Sequence, residues 1–179
     1  MRVAILTISS AGARGERKDT SGDAIAVWAR EHKYDVAERA LVSDDVNAIV
    51  GRLLLWCDGG AADLVLTTGG TGLSPTDVTP EASRVVIERD APGIAELLRA
   101  RVLATFPKAA LSRGVAGVRN RTLVVNLPGS PGGVKDSLAA LDGVVDHAVA
   151  VLRGEITDHS ASRTSASRTA RASTKRRRK

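Results

Sequence analysis

The chain has 179 residues, 43% of them hydrophobic, a size and composition that suit one globular domain with a sizeable core. A single cysteine excludes an intramolecular disulfide and a cysteine zinc cluster. Eight of the 26 basic residues follow Asp158, and no acidic residue follows it. The rest of the chain therefore has 18 basic and 20 acidic residues, so the net charge of +6 comes from the C-terminal tail.

Aromatic residues make up only 2% of the chain. A ring-shaped ligand is therefore expected to be held by backbone groups and aliphatic walls, and the stacked aromatics of single-strand nucleic-acid platforms are missing. No apolar run approaches the roughly 20 residues of a membrane span, and no secretory leader pattern is present. We expect a cytoplasmic protein that has no membrane partner.

The first part of the chain alternates between strand and helix patterns. In chain order we predict a strand at 2–8, a loop at 9–19, a helix at 20–32, a strand at 34–42, a capped helix at 46–57 and a strand at 63–68. The helix that begins at Val46 has the clearest pattern, because apolar residues recur there at i, i+3, i+4 and i+7. The run 2–8 is almost wholly apolar, which is typical of a parallel strand buried on both faces.

The second part continues the alternation. Thr79 and Pro80 suit the N-cap and the first position of a helix that runs to Asp90. Beyond it we predict a helix at 94–104, strands at 111–118 and 121–127, a hairpin turn at 119–120, a glycine-rich turn at 128–133, and helices at 134–141 and 143–153.

This pattern predicts a three-layer α/β/α domain with a mainly parallel central sheet and one antiparallel edge hairpin. The domain spans residues 1–158. Residues 159–179 are rich in Ser, Thr, Ala and Arg without apolar anchors, and we expect a disordered basic tail.

Two glycine-rich segments follow predicted strands: "TTGGTGLSPTDVTP" at 67–80 and "LPGSPGG" at 127–133. Ligands of open α/β sheets bind beyond the carboxyl ends of the strands. The loop that begins at Ser9 opens at the same edge, so three loops of small residues are expected to converge on one site.

The first of these segments can hold an anion through glycine amides and threonine hydroxyls. It lacks the lysine of a P-loop, and G-x-G-x-x-G does not follow the first strand. Its one charged group is Asp77, which would repel phosphate unless a cation lies between them. Magnesium held by Asp77, with Asp44 near the same edge, is one interpretation; a capped turn before Thr79 is the other, and composition and spacing leave both open.

The segment "TTGGTGLSPTDVTPEA" resembles the signature of the molybdopterin adenylyltransferase family, the Mog-type enzymes of molybdenum cofactor synthesis, whose eukaryotic counterparts include the gephyrin G domain. The resemblance continues through "VIERDAPGIAELL" and "LSRGVAGVRNRTLVVNLPGSPGGVKDSL" and covers roughly residues 2–155. It implies the MoaB/Mog fold, a homotrimer, and transfer of adenylate from Mg-ATP to molybdopterin with release of pyrophosphate. It also implies hand-over of the product to a molybdate-inserting enzyme.

The resemblance assigns roles to residues of this chain. Asp77 matches the catalytic aspartate and Asp44 a second acidic position, and both are expected to act through magnesium. The residues expected to bind molybdopterin and ATP are Ser9, Ser10, Thr68, Gly69, Gly70, Thr71, Gly72, Asn126, Pro128, Gly129 and Ser130.

Two positions depart from the family pattern. Many members carry arginine where this chain has Thr76, and aspartate where it has Ser10. We hypothesise that Arg14, Arg17, Lys18 or Arg113 supplies the missing positive charge. The departures keep a second function open, a trimeric molybdopterin-binding module without efficient transfer, and the tail keeps open a third, a nucleic-acid accessory protein.

Overall fold

The structure, a computed structural model, describes residues 1–156. The strands are β1 (Arg2–Ile8), β2 (Asp35–Val42), β3 (Leu64–Thr68), β4 (Arg89–Asp90), β5 (Ala116–Arg119) and β6 (Thr122–Leu127). The helices are α1 (Ser10–Ala13), α2 (Thr20–Glu31), α3 (Val46–Asp58), α4 (Thr79–Val86), α5 (Pro92–Leu103), α6 (Pro131–Leu141) and α7 (Val145–Arg153), with a 3-10 helix at Pro107–Leu111. The predicted tail at 159–179 lies outside the described residues.

The strands form one sheet in the order β2-β1-β3-β6-β5-β4. β1, β2, β3 and β6 are parallel, while β5 pairs antiparallel with β6 and β4 antiparallel with β5. The predicted mainly parallel sheet with an antiparallel edge hairpin is confirmed. The two-residue strand β4 extends that edge by one strand more than we predicted.

Two apolar cores cover the two faces of the sheet. Along β1, Val3 and Ile5 point into the core beneath α2, α5, α6 and α7, whereas Leu6 and Ile8 point into the core beneath α3 and α4. Strands buried on both faces require apolar residues at nearly every position, which explains the continuous run at 2–8. The three-layer prediction is thus confirmed.

Cys57 belongs to the α3 side of the core, where it is 3% exposed. Burial raises the pKa of its thiol to about 11, so it stays protonated and packs as a small apolar group. Among residues 1–156, no helix has the length and apolar character needed to cross a membrane.

Several predicted boundaries are wrong. The loop at 9–19 contains the one-turn helix α1, and the helix predicted to reach Asp90 ends at Val86, after which the chain extends to pair with β5. The strand predicted at 111–118 is a 3-10 helix to Leu111 and a strand only from Ala116. These segments are short and their form depends on distant partners, which local patterns do not encode.

Turn chemistry also shifts three assignments. The hairpin turn lies at residues 120–121, one residue later than predicted, because Asn120 has a positive φ of 52°. The N-cap of α4 is Val78, so Thr79 is already helical and its Oγ1 donates to the Gly69 carbonyl oxygen at 2.9 Å. α6 begins at Pro131, inside the predicted glycine-rich turn, with Ser130 as its N-cap.

Candidate active site

The carboxyl ends of three parallel strands bring the predicted loops together. Thr7 of β1, Thr68 of β3 and Leu127 of β6 stand side by side in the sheet. Thr68 Oγ1 donates to the Pro128 carbonyl oxygen at 2.6 Å, which joins the loop after β3 to the loop after β6. The predicted convergence at one edge is therefore present.

Glycines allow the loops to approach each other closely. A Cβ atom on Gly129 would lie 3.2 Å from the Gly69 Cα, and one on Gly69 would lie 2.2 Å from the Ile8 carbonyl oxygen. Gly69 and Gly70 also have positive φ values of 100° and 60°, which side chains disfavour. The loop from Gly69 to Gly72 is thus pressed against both neighbouring strand ends.

Two clefts open at this edge. The first, called the wide cleft, has a volume of about 560 Å³. It is lined by the glycine loop, Asp77, α5, the 3-10 helix and the start of α6. The second, called the narrow cleft, has a volume of about 370 Å³ and is rich in hydroxyl groups, lying between β1, the loop after it, Asp44 and the start of α2. Gly70, Gly129 and Ser130 line both clefts, so the two spaces meet there.

The predicted residues divide between these clefts. The wide cleft is lined by Thr71, Gly72, Asp77, Asn126 and Pro128 together with the three shared residues. The narrow cleft is lined by Ser9, Asp44, Thr68 and Gly69 together with the same three. Ser10 lines neither, and acts instead on Asp44.

Ser10 holds the carboxylate of Asp44. Its backbone N–H and its hydroxyl both donate to Asp44 Oδ2, at 2.8 and 2.7 Å, and the Asp44 N–H donates back to Ser10 Oγ at 3.1 Å. Within residues 1–156 no hydrogen bond uses Oδ1. A Cβ on Gly70 would lie 3.4 Å from that atom, so the missing side chain leaves Oδ1 room beside the loop.

Asp77 is held in a similar way. Its Oδ2 accepts from the Ser74 N–H at 2.9 Å, and its own N–H donates to the Ser74 carbonyl oxygen at 2.9 Å. Gly72 makes room for this carboxylate, since a Cβ there would lie 2.8 Å from Oδ2. Asp77 thus closes the turn before α4 and also lines the wide cleft, so the two interpretations of this residue are compatible.

Some predicted binding residues have structural partners. The Asn126 amide donates to Thr67 Oγ1 at 2.9 Å and to Ser83 Oγ at 2.8 Å, and its Oδ1 accepts from the Val115 N–H at 3.2 Å. Both amide protons are therefore used inside the protein, and Asn126 supports the cleft floor. Ser130 Oγ accepts from the Gly133 N–H as the cap of α6.

Ser9 also has a structural role, because its hydroxyl accepts from the Gly12 N–H and caps α1. These caps leave the Ser9 and Ser130 hydroxyl protons for other acceptors.

Sequence reasoning missed several lining residues. Asp19 borders the narrow cleft as the N-cap of α2 and accepts from Thr7 Oγ1 at 2.9 Å and Arg39 Nη2 at 2.7 Å. The signal was an aspartate three residues before Gly22, a helix-start pattern that we attributed to a loop. Arg99 and the exposed Phe106 line the wide cleft without any local sequence signal.

The structure separates the four basic residues considered as a source of positive charge. Arg17 and Lys18 line the narrow cleft. Arg14 is paired with Glu16 and lines neither cleft. The Arg113 guanidinium is bound to the loop before α4 and lines neither cleft.

The residues at this edge supply hard oxygen donors. Asp44 and Asp77 each keep one carboxylate oxygen that accepts no hydrogen bond from the described residues. In residues 1–156 no group of three or more His, Cys, Asp or Glu gathers to hold a metal. Magnesium commonly uses only one or two carboxylates and completes its shell with water and substrate phosphates, so the donor set fits it.

A mainly parallel sheet covered by helices on both faces, with glycine-rich loops and two carboxylates at its carboxyl edge, defines an α/β protein that binds its ligands at the strand ends. Residues 4–147 match the family model described as "probable molybdopterin binding domain". The chain therefore belongs to this family of molybdenum cofactor biosynthesis proteins.

Individual relatives agree with this assignment. The chain is 36% identical over 156 residues to the molybdopterin adenylyltransferase of Helicobacter pylori strain J99, covering 86% of this chain and 89% of the relative. The solved molybdopterin biosynthesis enzyme MoaB of Thermus thermophilus is 51% identical, with a TM-score of 0.81 over 86% of this chain and 96% of that one. The Mog protein of Mycobacterium ulcerans is 41% identical, with a TM-score of 0.80 over 84% and 97%.

Proposed function

We propose that this protein is a molybdopterin adenylyltransferase. The terminal phosphate of molybdopterin attacks the α-phosphorus of ATP, and the product is adenylyl-molybdopterin with release of pyrophosphate. One observation carries the proposal: a single glycine loop makes room for two carboxylates beside the place where the two clefts meet. Gly70 leaves space for the Asp44 carboxylate, and Gly72 leaves space for the Asp77 carboxylate. Relatives named for this activity support it.

The two clefts suit the two parts of such substrates. Hydroxyls of Ser9, Thr20 and Ser21 and the side chains of Arg17 and Lys18 line the narrow cleft, which makes it suitable for phosphate groups. Leu98, Val102, Phe106 and Leu111 give the wide cleft apolar walls suited to a flat ring. Adenylyl transfer requires both substrates to meet, and Gly70, Gly129 and Ser130 are where the two spaces join.

Asp44 and Asp77 are the residues that would hold magnesium. The ion would neutralise phosphate charge and let these carboxylates lie beside it. The chain itself contributes orientation: Ser10 fixes Asp44, Ser74 fixes Asp77, and loop amides and hydroxyls position the phosphates.

The direct test incubates the purified protein with molybdopterin, ATP and magnesium and measures adenylyl-molybdopterin by chromatography and mass spectrometry. Asp77→Asn keeps an acceptor for the Ser74 N–H but removes the charge, so turnover should fall about a hundredfold or more while the fold persists. Glu96→Gln, a matched change at an exposed residue of α5 that lines neither cleft, should behave as wild type. An active Asp77→Asn protein would contradict the assigned role, and an inactive wild type would contradict the function.

A second candidate function is a molybdopterin-binding module without efficient transfer. It is favoured by Ser10 and Thr76, positions where the family resemblance led us to expect an aspartate and an arginine. Tight binding of molybdopterin without consumption of ATP would favour this function over the enzyme.

We also propose a homotrimer that works in the cytoplasm and passes its product to a molybdate-inserting enzyme. Exposed apolar side chains support an oligomer: Leu73, Val85, Leu97 and Leu103 are each at least 37% exposed. A contiguous apolar patch on a single chain commonly marks a site of protein association, and these side chains are the candidates for one.

A further inference from the structure

Arg113 lies between the 3-10 helix and β5 and makes its contacts with the segment that carries Asp77. Its backbone N–H donates to the Thr71 carbonyl oxygen at 2.9 Å. Its guanidinium Nε donates to the Gly72 carbonyl oxygen at 2.6 Å, and Nη2 donates to the Asp77 carbonyl oxygen. One residue therefore binds both ends of the loop 72–77.

The same guanidinium also binds α4. Nη1 and Nη2 both donate to the Glu81 carboxylate, which lowers the pKa of that carboxyl. Glu81 lies in the first turn of α4, directly after the loop. Four hydrogen bonds thus commit the Arg113 side chain to two carbonyl oxygens and one carboxylate, and Arg113 lines neither cleft.

We propose that Arg113 is a positioning residue, whose side chain fixes the loop 72–77 against α4 and thereby sets the place of Asp77 in the wide cleft. Among the described residues, the Ser74 peptide group alone holds the Asp77 N–H and Oδ2, and Ser74 belongs to the same exposed loop. Among residues 1–156, the hydrogen bonds that link this loop to the rest of the protein are made by Arg113. The segment from Leu73 to Thr76 is exposed throughout. A shift of about 1 Å in a reacting group can lower a rate by about a hundredfold.

Lysine cannot substitute for this arginine. A guanidinium presents five N–H donors in a rigid planar fork, whereas an ammonium is a point charge with three donors. Nε, Nη1 and Nη2 of Arg113 are all in use and point in different directions. Arg113→Lys keeps the charge and the backbone N–H bond to Thr71 while removing the fork, so it isolates the positioning effect.

The effect on the reaction rests on the proposed adenylyl transfer, whereas the effect on the loop does not. Two measurements keep them apart: hydrogen exchange of the amides in residues 72–78, and kcat and KM in the molybdopterin and ATP assay. Arg113→Lys should speed exchange of the Ser74 and Asp77 amides and lower kcat about tenfold or more, with KM for molybdopterin changed less than about threefold. Arg89→Lys, at an exposed arginine of β4, is the matched control and should change neither.

Unchanged exchange in Arg113→Lys overturns the proposal, as does faster exchange with unchanged kcat. If wild type shows no turnover but Arg113→Lys still loosens the loop, the positioning of Asp77 stands and only the proposed function falls. Should Arg113→Lys fail to fold, Glu81→Gln removes the carboxylate partner alone; it should raise exchange in the loop and lower kcat about threefold, and a wild-type result for both overturns the proposal.

Discussion

At the scale of single residues, Gly69 shows how little freedom the site leaves. It follows the last residue of β3, has a φ of 100°, and a Cβ there would lie 2.2 Å from the Ile8 carbonyl oxygen. Both the backbone conformation and the contact exclude a side chain. The contact atom belongs to the backbone of a buried strand and cannot move aside.

Gly69→Ala should therefore destabilise the protein by about 2 kcal/mol or more, measured by urea denaturation followed by circular dichroism. Gly51→Ala is the control, because a Cβ at Gly51, in the middle of α3, meets nothing within 4 Å. That change should stabilise the helix by about 0.5–1 kcal/mol. Equal effects of the two substitutions would contradict the steric argument.

The sequence allowed the position of both carboxylates to be predicted, but not how each one is held. Asp77 and Asp44 were identified from a motif and from a strand end, and both line clefts at the expected edge. That Ser10 binds Asp44, and that Asn126 has its amide protons bound inside the protein, depends on side-chain geometry across the sheet. Contacts between residues 34 and 43 positions apart leave no local pattern in a single sequence.

At the scale of secondary-structure elements, Asp63 joins three of them at the edge of the sheet opposite the clefts. It precedes β3 and accepts from the backbone N–H of Arg2 in β1 at 2.6 Å, from the Arg2 guanidinium at 3.1 Å, and from the guanidinium of Arg153 at the end of α7. Burial alone would raise the pKa of this carboxyl, but these hydrogen bonds outweigh it and lower the pKa to about 2. A depressed carboxyl pKa means that the charged form stabilises the fold.

Asp63→Asn should lower the free energy of unfolding by about 2 kcal/mol at pH 7. The stabilisation from Asp63 is complete above its ordinary pKa of 3.8 and is lost as the pH falls towards about 2, so the difference between wild type and variant should narrow over that range. Urea denaturation at pH 7, 4 and 2.5 measures it. Glu38→Gln, at an exposed position of β2, is the control and should leave stability nearly unchanged. If the difference in unfolding free energy between Asp63→Asn and wild type does not depend on pH, the charged form of Asp63 is not what stabilises the fold.

The elements that could be predicted are those in which apolar residues recur at a regular helical spacing over several turns or form a continuous run. α3, with its regular spacing, and β1, β3 and β6, which are buried along almost their whole length, were placed to within a residue or two. β4 and the 3-10 helix were missed, because two exposed residues become a strand only by pairing with β5. Pairing of this kind is decided by the completed sheet and not by the segment itself.

At the scale of the whole molecule, exposed apolar side chains are unevenly distributed. Of the eight large ones exposed in residues 1–156, six lie between Leu73 and Leu111, while Val27 and Leu55 lie elsewhere. Phe106 and Leu111 line the wide cleft, which leaves Leu73, Val85, Leu97 and Leu103 without a role in the single chain. These four side chains are the candidates for the interface of the proposed homotrimer.

Val85 is 66% exposed in α4 and Leu55 is 61% exposed in α3. A charge buried in an interface without a partner opposes association, so Val85→Glu should shift the protein from a trimer to a monomer in light scattering coupled to size-exclusion chromatography. Leu55→Glu introduces the same charge on another helix and should leave the mass unchanged. A monomeric wild type would refute the trimer, and a trimeric Val85→Glu protein would exclude this part of α4 from the interface.

The joining of distant segments at the clefts has a consequence for how the protein is made. The Ser21 hydroxyl donates to the Gly129 carbonyl oxygen across 108 residues of chain, and β6, which positions Gly129, is the last of the described strands to leave the ribosome. Contacts this far apart form late, because the entropy of closing the intervening chain must first be overcome. A nascent chain thus acquires the glycine loop well before it acquires Gly129 and Ser130, which line both clefts. A substrate that binds only the finished edge stabilises the native state at the last step of folding.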